Sequence, residues 1–132
     1  MDEAPLVLLV DDDLGIQQVM QSVIEFNGYR VAVTDGDAAL TEARRLHPDV
    51  VLLDIHMPRI SGTDLYRQLA RDPATTAIPV VLTSAVYDLP SVARKLGAAS
   101  YLQKPYDMRM LADKIDPLIA AHRATRSQGE TK

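Results

Sequence analysis

The chain contains no cysteine and no tryptophan. Without thiols it forms no disulfide and no thiolate metal centre, which fits a reducing compartment. Aromatic residues make up only 5% of the sequence, and phenylalanine occurs once. Surfaces that stack on nucleic-acid bases need more rings than that. Long apolar runs are also missing. The longest is Leu6–Val10, far short of a membrane span. The opening Met1-Asp2-Glu3-Ala4-Pro5 is acidic and lacks the basic start of a secretory signal. The net charge is -4 with pI near 5.2, the wrong sign for general binding to phosphate backbones. These absences predict a soluble, cytoplasmic protein without direct nucleic-acid binding or membrane attachment. Hydrophobic residues make up 47% of the 132 residues, enough for one domain with its own core.

What is present is alternation. Short apolar runs predict strands at Leu6–Val10, Tyr29–Val33, Asp49–Leu53, Val80–Thr83 and Ser100–Leu102. Helical patterns lie between them. Ile16, Val19, Met20, Val23 and Ile24 form one stripe at helical spacing, with Asp13 placed to cap its start and Asn27-Gly28 its end. A second helix is predicted over Asp37–Leu46, with Ala39, Ala43 and Leu46 inward and Pro48 stopping it. A third is predicted over Thr63–Arg71, carrying Leu65 and Leu69 and ending at Asp72-Pro73. A fourth spans Pro90–Leu96, closed by Gly97, and a fifth runs from Met108 to His122. Pro117 lies inside the fifth, where it removes a ladder donor and crowds the Asp113 carbonyl; a kink or break near Asp116 is expected. From Ala124 to Lys132 the sequence turns polar and loses its period, as a frayed tail or linker stub would. The domain is therefore expected over residues 1–123, with a polar tail at 124–132. Strand and helix alternating five times implies a three-layer α/β/α domain, (βα)5, with a parallel five-stranded sheet.

Three strand ends carry chemistry. Asp11-Asp12-Asp13 follows the first strand, Asp54-Ile55-His56-Met57-Pro58 ends the third, and Lys104-Pro105 follows the fifth. Ligands of open α/β sheets bind beyond the carboxyl ends of the strands, so acid, acid and lysine at one rim form a candidate site. Three carboxylates gathered there repel one another, and without a counter-ion at least one should have a raised pKa. For Asp13 the capping role is preferred. Taken alone, Asp54 is equally well read as a strand-end cap. Taken with the acidic pair and the lysine, it is read as the reactive group. Thr83 and Ser84 compete for any hydroxyl role, because neighbours on a strand face opposite ways. His47 and His122 read as surface residues.

In that order, Val10-Asp11-Asp12-Asp13, Leu53-Asp54-Ile55-His56-Met57-Pro58 with Gly62, Thr83-Ser84-Ala85 and Lys104-Pro105 resemble the receiver domain of two-component response regulators. The likeness covers roughly Leu6 to Ala121. It implies a flavodoxin-like sheet in the order 2-1-3-4-5. It also implies that Asp54 accepts a phosphoryl group from a histidine kinase or phosphotransfer protein. Asp11, Asp12, Asp54 and the backbone carbonyl of His56 would hold Mg²⁺, or Mn²⁺ in its place. Lys104 would pair with the phosphoryl oxygens across a cis Lys104–Pro105 bond. Ser84, favoured over Thr83 by its usual spacing from Pro79, would hydrogen-bond the phosphoryl group. Tyr101 would turn with it, although it also reads as plain core. The His56 side chain would tune the lifetime of the phosphoaspartate. The resemblance implies a switch acting on a downstream protein or output domain, with self-catalysed phosphorylation and dephosphorylation in place of substrate turnover.

Two departures stand out against that pattern. The stretch from Ala85 to Lys104 is about two residues shorter than in many receivers, and Val86-Tyr87-Asp88-Leu89-Pro90 is unusually apolar. The rival readings fare worse. A flavodoxin-type cofactor binder needs a Gly/Ser/Thr-rich loop after the first strand, where this chain has three aspartates. An aspartyl-phosphate phosphatase commonly has a second Asp two positions after the first, where this chain has His56. A phosphorylation-independent interaction module with the same fold is the remaining alternative.

Overall fold

The computed structural model describes residues 3–130 other than 58, 86–88 and 99. The strands are β1 (Leu6–Val10), β2 (Arg30–Thr34), β3 (Val50–Asp54), β4 (Val80–Ser84) and β5 (Ser100–Gln103). The helices are α1 (Leu14–Phe26), α2 (Ala39–Leu46), α3 (Gly62–Arg71), α4 (Leu89–Leu96) and α5 (Met108–Glu130). All strand pairs are parallel, in the order β2-β1-β3-β4-β5. Each predicted strand is present within a residue of its expected ends.

Strand alternation divides the apolar residues into two cores. Leu8, Val10, Val51, Leu53 and Leu82 face α2, α3 and α4, meeting Ala39, Ala43, Leu65, Leu69 and Ala93. Val7, Leu9, Val50, Leu52 and Val81 face the other way, meeting Ile24 of α1 and Leu111, Ile115 and Ile119 of α5. β3 and β4 are buried along their whole length, which is why each opens on an apolar run. Each large aliphatic side chain buried here stabilises the fold by about 1.5–3 kcal/mol. Asp54 thus stands at the end of a strand buried along its whole length.

Two features of the helices go beyond the sequence reading. In α1 the apolar stripe does not face the core as a whole. Ile24 is fully buried and Met20 partly so, but Ile16, Val19 and Val23 are 41%, 63% and 37% exposed. Buried Gln17 takes the inward position instead. Its Nε2 donates to the Asp11 carbonyl and, at 3.1 Å, to the Thr34 carbonyl. Joining the ends of β1 and β2 satisfies the amide, and that sets the roll of the helix.

The second feature, in α5, is a correction. It continues through Pro117 without a break and runs to Glu130, so residues 124–130 are helical where a polar tail was expected. Asp113, Asp116 and Pro117 all lie on the exposed side, where water can serve the carbonyl that proline leaves without a donor. Past that point the helix is anchored. Arg123 Nε and Nη2 donate to the two oxygens of buried Asp49 at 3.0 and 3.1 Å. Arg126 approaches the same carboxylate at 3.7 Å. His122, expected at the surface, is half-buried beside this cluster. Most of the apolar stretch Val86-Tyr87-Asp88-Leu89-Pro90 lies outside the described residues; Leu89 and Pro90 open α4, and Leu89 is buried.

Candidate functional site

The ends of β1, β3 and β5 bring Asp11, Asp54 and Lys104 together. Lys104 Nζ lies 3.6 Å from Asp11 Oδ2 and 3.5 Å from Asp54 Oδ2. Asp11 is only 4% exposed and Asp54 9%. The backbone explains the convergence. Lys104 N–H donates to the Ser84 carbonyl at 2.8 Å, and Ile55 N–H to the Thr83 carbonyl at 3.1 Å, so β3, β4 and β5 end level.

The remaining oxygens of the carboxylates are held by main-chain amides. Asp54 Oδ1 accepts from His56 N–H at 3.0 Å, and Asp11 Oδ1 from Asp13 N–H at 2.9 Å. Asp12 Oδ1 accepts from Gly36 N–H at 3.0 Å, in the turn after β2. Asp13 caps α1 as expected, accepting from Ile16 N–H at 3.1 Å. The Lys104–Pro105 bond is cis.

Burial pushes the Asp11 carboxyl above its ordinary range, and the neighbouring Asp54 and Asp13 charges add to it. The Asp13 amide and the Lys104 ammonium pull the other way without cancelling the rise. Among the described residues, no three carboxylates or imidazoles stand close enough to hold a metal ion as they are. The ammonium of Lys104 acts as counter-ion to Asp11 and Asp54 in this arrangement. The donor chemistry of Asp11, Asp12 and Asp54 is nonetheless all hard oxygen, the kind that suits Mg²⁺.

Ser84 and Thr83 are both buried, and the register separates them. Thr83 pairs with Asp54 and Leu102, whereas Ser84 pairs with Gln103 one step nearer the rim. Ser84 follows Leu82, the register partner of Tyr101, so Ser84 and Tyr101 belong to one face of the sheet. Tyr101 is half-buried against the α2–α4 side, and Lys114 of α5 stands 5.2 Å from its ring centroid. His56 has an exposed side chain and meets Asp54 through its backbone.

Other residues of the rim were not singled out in the sequence. Asp35, Asp37 and Arg59 join Asp11, Asp12 and Gln17 around a groove of about 470 Å³. Arg59 Nε lies 3.4 Å from Asp37 Oδ2, tying the loop after β3 to the turn after β2. Tyr106, two residues past Lys104, is pushed up to about 12 by burial and by the Asp11 and Asp54 charges, and stays neutral. Its place beside Lys104-Pro105 was the available clue. Gln17 and Gly36 offered none, because a polar residue on a helix and a glycine in a turn both read as ordinary solvent-facing positions.

Comparison with known proteins agrees with this geometry. The sequence model of the response regulator receiver domain family matches residues 7–116. The DNA-binding response regulator MtrA of Mycobacterium tuberculosis is 36% identical over 112 residues, 83% of this chain and 48% of its own length. The DNA-binding dual master transcriptional regulator RpaA of Synechocystis sp. is 30% identical over 118 residues, 87% of this chain and 49% of its own. The chain therefore spans about half the length of these curated relatives. A response regulator receiver domain protein from Methanospirillum hungatei superposes with a TM-score of 0.81 at 25% identity, covering 92% of this chain and 98% of that one. The N-terminal domain of a receiver protein from Methanoculleus marisnigri gives 0.71 at 32% identity, covering 83% and 91%. With strand order, acidic rim and family match in agreement, the chain belongs to the response regulator receiver domain family.

Proposed function

We propose that this domain accepts a phosphoryl group on Asp54 from a histidine kinase or phosphotransfer protein in the cytoplasm. The single observation that carries the reading is Lys104 Nζ seated 3.5 Å from Asp54 Oδ2 and 3.6 Å from Asp11 Oδ2. An anion must enter a nest of anions, and phosphoryl transfer is mostly positioning plus neutralisation of oxygen charge. Lys104 supplies one movable cation. Asp11, Asp12 and Asp54, with the His56 carbonyl, would hold Mg²⁺. When bound, that ion would neutralise the acids and the incoming phosphoryl oxygens together. The His56 amide keeps one Asp54 oxygen occupied, which fixes the carboxylate so that its other oxygen serves as nucleophile.

The output follows from charge. A phosphoryl group on Asp54 adds close to two negative charges and strong acceptors. Ser84 donates its hydroxyl to one of them, and Tyr101, on the same face of the sheet, repacks toward the space released. The surface of α4, β5 and α5 then changes its preferred partner, a shift in a two-state element. Since MtrA and RpaA are DNA-binding regulators at about twice this length, an attached or separate output domain would read that surface. The exposed apolar side of α1 begins at Ile16, beside the cap Asp13 and the acidic rim. That continuity makes it the surface we assign to docking of the phosphodonor.

The test is incubation with acetyl phosphate and Mg²⁺, read by intact mass. Wild type gains one phosphoryl group, Asp54→Asn gains none, and chelating Mg²⁺ suppresses the gain. Labelling that persists in Asp54→Asn overturns the assignment. If wild type takes no label, the domain works as a phosphorylation-independent interaction module.

A further inference from the structure

We infer that Gly36 is a positioning residue for Asp12, and that the position demands glycine for want of space. Gly36 is buried and donates its N–H to Asp12 Oδ1 at 3.0 Å. The glycines with positive φ are Gly28 and Gly97, so backbone freedom is not the reason for glycine at 36. A Cβ at this position would sit 2.4 Å from Ile60 Cγ2, and 3.2 and 3.3 Å from Met57 Cε and Sδ. Met57 ends in a flexible thioether and can yield. Ile60 cannot do so easily, because its Cγ2 is on the branched Cβ and χ1 is stiff.

The turn is held on its other sides as well. Asp11 N–H and Gln17 Nε2 both donate to the Thr34 carbonyl, at 3.2 and 3.1 Å. Asp35 Oδ1 accepts from Ala38 N–H at 2.9 Å, and Asp37 pairs with Arg59. The turn at residues 35–37 is thus a wedge between the loop that carries Asp12 and the loop that follows Asp54. Ile60 presses on Gly36, Gly36 holds Asp12, and the carboxylate is fixed before any ligand arrives. Alanine at position 36 would push the turn off Ile60 and draw its amide away from Asp12. Partners of this kind, one bond behind a metal ligand, typically affect metal affinity by about 10–100-fold.

The experiment has two arms, and only the second rests on reading Asp12 as a magnesium ligand. In the first, hydrogen exchange of the residue-36 amide is measured by NMR without metal. The amide is protected in wild type and loses protection in Asp12→Ala. Protection falls in Gly36→Ala and returns in Gly36→Ala/Ile60→Ala, where the crowding methyl is gone. In the second arm, Mg²⁺ affinity is measured by calorimetry. Gly36→Ala binds about ten-fold more weakly, and the double variant recovers. If wild type binds no Mg²⁺, the metal reading falls while the first arm still decides the role of Gly36. The inference is overturned if Gly36→Ala keeps the protection, or if the double variant is no better than the single.

Discussion

At Gly62 the fold leaves no room for a side chain. A Cβ there would lie 2.3 Å from Ile55 Cα and 2.6 Å from the Asp54 carbonyl oxygen. Both are backbone atoms of the strand end that carries Asp54, so no side chain can turn aside. Gly62→Ala must lever the start of α3 away from β3. We expect it to cost about 1–3 kcal/mol, read as a lower urea midpoint, and an unchanged midpoint would refute the close approach. Asp11 behaves in the opposite sense. Its carboxyl is raised by burial and by Asp54, so at neutral pH its charge works against folding. Asp11→Asn removes the charge and keeps an oxygen for the Asp13 amide. The variant should melt higher than wild type at pH 7 and lose any stabilisation by Mg²⁺. A lower melting temperature would show that the pairing with Lys104 outweighs the burial.

At the scale of elements, α1 shows how a stripe can be present and still not face the core. Ile16, Val19 and Val23 have the spacing of a buried face, yet they are exposed, and Phe26 is 90% exposed. Hydrophobic periodicity reports that a face is apolar and not which surface covers it. Gln17 decided the roll, through two backbone carbonyls that no local pattern reveals. α2 and α3 lack such a competitor, and their inward residues Ala39, Ala43, Leu65 and Leu69 were legible. The same logic explains α5, where an exposed Pro117 is tolerated because its lost donor faces water. The exposed stripe of α1 then has a testable use. Val19→Glu should slow labelling of Asp54 by a histidine kinase while leaving labelling by acetyl phosphate unchanged, in parallel mass time courses. Equal rates from the kinase would remove α1 from the docking surface.

Over the whole molecule, strands and strand-end residues were legible because a doubly covered parallel sheet forces apolar runs and sends its chemistry to the rim. Asp54, Asp11 and Lys104 met there. Contacts between distant segments were not legible: Gly36 with Ile60, or Asp49 with α5. The second of these governs the response to acid. Burial of Asp49 favours its protonation, but Arg123, the Leu6 N–H and Arg126 together hold its carboxyl below the ordinary value of 3.8. A depressed carboxylate contributes stability above its unfolded pKa and loses it as the pH falls through the folded value. His122 acts earlier. Burial, reinforced by Arg126 and Arg123, lowers it below 6.5, against the opposing pull of Asp49 and a backbone hydrogen bond to Ala77. The fold therefore prefers the neutral imidazole, and stability declines as the pH falls from 6.5 toward that lowered value. Asp11 works against both, since its raised carboxyl takes up a proton more readily in the folded state and relieves a penalty on the way down to 3.8. The melting temperature should thus fall in two stages, first just below pH 6.5 and again below pH 3.8, with a flatter stretch between. His122→Gln should abolish the first stage and leave the second. Asp49→Asn should lower stability at neutral pH and flatten the second. A first stage that survives in His122→Gln would show that the α5 anchor does not set the protein's response to mild acid.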